Sequence, residues 1–207
     1  MYASRTRNTP VNIVIDHNEI NQPDIYTYLG VKVDSHLNLN GHFQSMYNRI
    51  SSRIKLLKRI RHNVSPIVAE TIFKSMIHPL FFYCYPVFGI MSNTWINKFE
   101  SLTNRARVII KYHRNLPSFQ TSLKRKIALD AFKALHNIKP NDKYEKINHI
   151  YDTKGNKNTF RLPRVRLNAG RKLSYYQGAL VFNGLENDIR KENSFTIFKR
   201  KIKNYEF

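Results

Sequence analysis

Apolar residues recur at every second position near the start of the chain and at every third or fourth from residue 42 onward. This change of period separates a strand-forming start from a helix-forming remainder. Over residues 11–34, Val11, Ile13 and Ile15 share one side of an alternating run, and Asp16-His17-Asn18 supplies turn chemistry before Ile20. A second β-rich stretch, Tyr26 to Asp34, is interrupted by Gly30. Together they predict a small antiparallel ribbon. From His42 onward, Phe43, Met46, Tyr47, Ile50, Ile54 and Leu57 form a stripe at helical spacing that runs to about Arg61. Ser65 and Pro66 are a cap and first-turn pair for a second helix carrying Ile67, Val68, Ile72, Phe73, Met76, Ile77 and Leu80. A third helix is expected from Asn93-Thr94 to about Lys111, with Trp95, Phe99, Leu102, Ala106 and Ile109 on its apolar side. A fourth runs from Phe119 to Ile138 and stops before Lys139-Pro140.

Residues 139–170 turn polar and read as a linker. Arg161, Arg164, Arg166, Arg171 and Lys172 make the next segment basic. Helices are expected over Tyr175 to Asn183 and, capped by Ser194, from Phe195 through Lys199-Arg200-Lys201-Ile202-Lys203. The fold class predicted is mainly α: a short N-terminal antiparallel β-ribbon, a helical bundle and a basic C-terminal segment with one or two helices. The corresponding domains are 1–38 (ribbon), 39–138 (helical domain), 139–170 (polar linker) and 171–207 (basic helical segment).

Composition supports a folded chain, because 207 residues with 42% hydrophobic and 13% aromatic side chains supply a core. Charge adds a partner. Thirty-five Lys and Arg against 14 Asp and Glu leave +21, a self-repulsion that a polyanion relieves, so RNA or DNA bound without sequence preference is the expected ligand. A membrane is not expected as partner: the longest apolar run, Pro79 to Met91, is broken by Pro86 and is shorter than the roughly 20 residues a spanning helix needs. Arg5 and Arg7 with no apolar stretch behind them predict no secretory signal, and the single Cys84 predicts a buried, inert thiol in a reducing compartment. The expected location is therefore intracellular, in nucleus or cytoplasm.

Catalytic patterns are missing from the sequence. The seven Asp stand at 16, 24, 34, 130, 142, 152 and 188, none adjacent to another or one residue apart, whereas a two-metal phosphoryl-transfer centre needs clustered carboxylates. The seven Gly form no phosphate-cradling loop, and the eight His lack zinc-ligand spacing. No cofactor is expected in this chain. His78 or His113 beside a carboxylate would be the remaining route to acid–base work, and no spacing supports it.

Three ordered stretches resemble one family. The first is Tyr26-Thr27-Tyr28-Leu29-Gly30-Val31-Lys32-Val33-Asp34 leading to Leu39-Asn40-Gly41-His42. The second runs from Leu56-Leu57-Lys58-Arg59-Ile60-Arg61 to His78-Pro79-Leu80-Phe81-Phe82-Tyr83-Cys84-Tyr85-Pro86-Val87-Phe88-Gly89. The third is Gly170-Arg171-Lys172-Leu173-Ser174-Tyr175, Gly178 to Leu185, Ile189-Arg190 and Ser194 to Lys199. They are similar to the region C-terminal to the palm in reverse transcriptases of jockey- and CR1-like non-LTR (LINE) retrotransposons. The chain departs from that pattern at Phe82 (usually Asp), Phe88 and Phe182 (usually Trp) and Glu186 (usually Pro).

The resemblance implies that this chain is a C-terminal fragment of an RNA-directed DNA polymerase, without catalytic activity as it stands, because the family's Asp-Asp motif has no counterpart here. Mg²⁺ would belong to the palm upstream, which is a candidate partner. Tyr26, Tyr28, Leu29, Gly30 and Val31 would form the primer-grip-like ribbon, and the helices after it the thumb. Arg49, Arg53, Lys55, Lys58, Arg59 and Arg61, joined by Arg105 and Arg107, would contact template–primer phosphates without reading sequence. Any one of these cations alone reads more readily as a solvated helix face, a reading that weakens for the set, and Tyr26 and Tyr28 read more readily as core packing than as stacking residues. A degenerate or co-opted element-derived protein with a structural or interaction role, and no polymerase activity, is the alternative.

Overall fold

In the computed structural model, which describes residues 14–16, 18–19, 23–110, 116–139, 144–145 and 158–207, the N-terminal part forms two antiparallel hairpins. β1 (Val14–Ile15) pairs with β2 (Asn18–Glu19), with Val14 opposite Glu19. Val11, Ile13 and Ile20 of the expected ribbon lie outside the described residues. β3 (Ile25–Tyr28) pairs with β4 (Val31–Asp34), Tyr28 facing Val31. The run from Tyr26 to Asp34 is thus a complete hairpin, and Gly30 is in its turn. Leu29 and Gly30 have φ of 46° and 77°, the left-handed pair whose twist matches that of the flanking strands in a two-residue loop. Glycine takes this conformation freely, whereas Leu29 bears a cost of about 1 kcal/mol. The Tyr83 hydroxyl donates to the Leu29 carbonyl and braces the turn.

The Asp34 carboxylate accepts the backbone N–H groups of His36, Asn38 and Leu39 at 3.0, 3.2 and 2.9 Å. It closes the loop into α1 (Asn40–Ile60), which starts two residues before His42. Ser65 caps α2 (Pro66–Ile72) by accepting from the Val68 N–H at 3.3 Å, with Pro66 in the first turn as predicted. The expected single helix to Leu80 is instead interrupted by a π-helical turn at Phe73–Ile77 before α3 (His78–Phe81). Pro79 has no N–H to give the turn before it, and the His78 N–H reaches back five residues to Phe73.

α4 spans Asn93–Ile110. α5 (Phe119–Leu135) is capped by Ser118, whose hydroxyl accepts from Thr121 N–H at 2.9 Å. It ends three residues earlier than predicted because Asn137 turns left-handed (φ 55°) and the Ile138 N–H bonds back to Lys133 O at 2.8 Å. α6 (Asn168–Arg171), α7 (Ser174–Asn183), α8 (Asn187–Arg190) and α9 (Phe195–Asn204) complete the order. The architecture is mainly α with an N-terminal β-ribbon. The Ser194 side chain does not cap α9 as expected; the Glu192 carboxylate accepts the N–H groups of Asn193 and Ser194 there instead.

Two compact units emerge. One holds the described residues of 1–84 and 91–113, the other those of 85–90 and 114–207. Buried Phe43, Ile50, Ile54 and Leu57 of α1 join Phe73, Phe81, Phe99 and Leu102 in the first core. Ala128, Phe132 and Leu135 of α5 join Phe160, Phe182, Phe198 and Ile202 in the second. The boundaries drawn from sequence at 38 and 138 do not coincide with these units, and α5 packs with α7 and α9. The aromatic run 81–88 is only partly core: Phe81 and Phe88 are buried, Tyr83 is exposed. Cys84, expected to be buried, is half-buried with φ 53°, at the point where the chain leaves the first unit.

Candidate nucleic-acid interface

The apolar stripe of α1 faces the first core and divides the helix's cations into two flanks. Arg49 and Arg53, one turn apart, lie on one flank; Lys55, Lys58 and Arg59 lie on the other. On that second flank α1 and α4 enclose a groove of about 580 Å³ lined by Lys55, Lys58 and Arg105, with Ile54 and Ile109 beneath and Val108 75% exposed. Arg59 is exposed beside it. The groove also holds Glu100, so among the described residues three cations converge there against one carboxylate.

Arg49 is exposed, whereas the other three cations have acceptors within the fold. Arg61, expected in the interface, is half-buried: its Nε donates to Ile109 O at 2.9 Å and its Nη1 to Val64 O at 3.2 Å. It ties the end of α1 to the last turn of α4, where the carbonyls carry the negative end of the helix dipole. Arg53 Nη1 donates to Met76 O at 2.6 Å, and Arg107 Nη1 to Asn104 Oδ1 at 2.6 Å. Backbone and amide oxygens are acceptors for all three.

On the hairpin, Tyr26 and Tyr28 are 51% and 64% exposed and Leu29 74%, so the tyrosines are not core residues. Tyr26 and Tyr28 share one face of β3 by alternation. Val31 is buried and presents no side chain to a ligand. Among the C-terminal cations, Lys199, Arg200 and Lys203 are exposed, while Lys201 meets Glu192 at 3.1 Å and donates to Asp188 O at 3.1 Å.

Sequence reading passed over His42, which is 4% exposed. Lys32 N–H donates to its Nδ1 at 3.5 Å, and its Nε2 is buried with no partner among the described residues. Burial first, then the charges of Lys32 and Arg49, hold its pKa below the usual 6.5. His78 is lowered too, by burial and then by Lys74. An unfolded chain therefore takes up protons at these positions before the folded one does, so their contribution to stability is complete above about pH 6.5 and falls as pH drops through that value. Urea unfolding followed between pH 8 and 5.5 is expected to show a falling midpoint; a flat or rising midpoint would remove this assignment.

Among the described residues no group of three or more His, Cys, Asp or Glu is placed to hold a metal ion, and no helix is long and apolar enough to cross a membrane. Comparison of the chain with protein-family models, with curated proteins and with solved structures finds no match.

Proposed function

We propose that this chain is the C-terminal portion of a jockey- or CR1-like non-LTR retrotransposon reverse transcriptase and grips a template–primer duplex without reading its sequence. The observation that carries the reading is the α1–α4 groove, where Lys55, Lys58 and Arg105 converge. The three ordered stretches of resemblance support it, as does the net charge of +21. A duplex laid along this groove meets cations that hold phosphates as point charges, and such contacts give affinity and register but no base specificity. Tyr26 and Tyr28 offer exposed rings for stacking on a sugar or base near the hairpin.

On this reading polymerisation belongs to a palm supplied upstream, with its Asp pair and Mg²⁺, and the chain works inside the cell where that palm is. The chain by itself then adds no nucleotides to a primer. Fluorescence anisotropy with RNA–DNA hybrids of unrelated sequence tests the binding. Affinities within about threefold of one another are expected; a preference of roughly a hundredfold for one sequence would replace the grip by base readout.

A further inference from the structure

A second concavity in the first unit, of about 250 Å³, lies where the β3–β4 turn meets α1 and is lined by Gly30, His42, Ser45, Arg49 and Tyr83. Met46 and Leu80 supply its apolar wall, and among the described residues none that lines it is a carboxylate. Its polar groups are mostly donors. Nδ1 of His42 accepts from the Lys32 N–H, so in the neutral ring the proton sits on Nε2, the buried atom that has no partner. An unpaired buried donor is costly, and a ligand oxygen would satisfy it. Arg49 is exposed on the same side, and Ser45 adds a hydroxyl one turn before it.

The turn is shaped to leave this space open. Tyr83 holds Leu29 O, and a Cβ at Gly30 would come within 3.2 Å of the Tyr83 hydroxyl, at a φ that side chains rarely adopt. Donors without a carboxylate select an oxyanion. A small recess suits an end group better than a backbone phosphodiester, which has to continue past it in both directions.

We propose that this pocket binds one phosphate monoester, such as the 5′-phosphate end of a nucleic-acid strand, through Arg49, Ser45 and the Nε2–H of His42. The strand as source rests on the grip reading above, whereas the chemistry of the pocket does not. The test uses the full chain and two oligonucleotides, one with a 5′-phosphate and one with a 5′-hydroxyl lengthened by two nucleotides, because the monoester carries about two negative charges and each added phosphodiester one. Anisotropy should show the 5′-phosphate bound about tenfold tighter, with Ser45→Ala and Arg49→Gln each bringing the ratio towards one.

Histidine side-chain NMR supplies a readout that does not depend on strand binding, since inorganic phosphate should shift the His42 Nε2–H resonance. Equal affinity for the two ends with an unmoved His42 resonance overturns the pocket and leaves the groove untouched. No binding of either strand, together with a phosphate-induced shift at His42, supports the pocket with free phosphate as its source and removes the grip reading. Silence in both measurements overturns both.

Discussion

Replacing Lys55, Lys58, Arg59 and Arg105 together by glutamine should weaken duplex binding on the order of a thousandfold at about 0.1 M salt, because each phosphate left without its cation no longer releases roughly one counterion on binding. The four side chains are exposed, so the fold is expected to survive, and an unchanged thermal transition is the control. The salt slope should fall by about one for each cation replaced. A combined variant that binds within about threefold of the parent would remove the groove as the interface. Arg61 makes a useful contrast, since its guanidinium is spent on the carbonyls of Ile109 and Val64; its replacement should lower stability more than it lowers affinity.

The largest effect on stability is expected at Phe132. Its ring is fully buried, stacks on Phe198 at 4.2 Å and 24° between planes, and lies 6.0 Å from Phe195. Phe198 in turn meets Phe182 at 6.0 Å, so Phe132 holds α5 to α9 within the second core. Phe132→Ala should cost about 3–5 kcal/mol, the transfer term plus a cavity that these rings fill only in part. A domain has only about 5–15 kcal/mol in all. Urea unfolding followed by far-ultraviolet circular dichroism measures the change, and a loss under about 1 kcal/mol would mean that this cluster closes over the gap. Phe132→Leu, which keeps more of the volume, should cost less than about half as much.

Much of the fold is legible in the sequence because helical period and cap chemistry are local. Ser65-Pro66 and Phe119, the first residue of α5, can be placed from a few neighbouring residues. The hairpin turn is less visible, since Leu is seldom left-handed and Tyr28-Leu29-Gly30-Val31 reads as one extended run until Tyr83, far along the chain, fixes the turn. Partner choice is not local at all. The stripe on α5 announces a buried face without saying that Phe182 and Phe198 cover it.

The candidate interface is legible to the same degree. A helix rich in cations is obvious in sequence, but the acceptors that occupy Arg53 and Arg61 are backbone carbonyls, which no residue pattern encodes. The split of the cations into two flanks follows from the helical period once the buried stripe is known. The convergence of Arg105 with Lys55 and Lys58 does not, because it depends on how α4 lies against α1. His42 is visible in sequence only as the residue opening a helix, and its unpaired Nε2 emerges from tertiary burial.

If this chain holds nucleic acid by its phosphates through the α1–α4 groove, as proposed, the affinity of the full chain for an RNA–DNA hybrid must depend steeply on salt concentration. Lys55, Lys58 and Arg105 in the groove, with Arg59 next to it, predict that log K falls linearly with log salt at a slope of about −4 or steeper. A slope flatter than about −1, or no measurable binding at low salt, would contradict it.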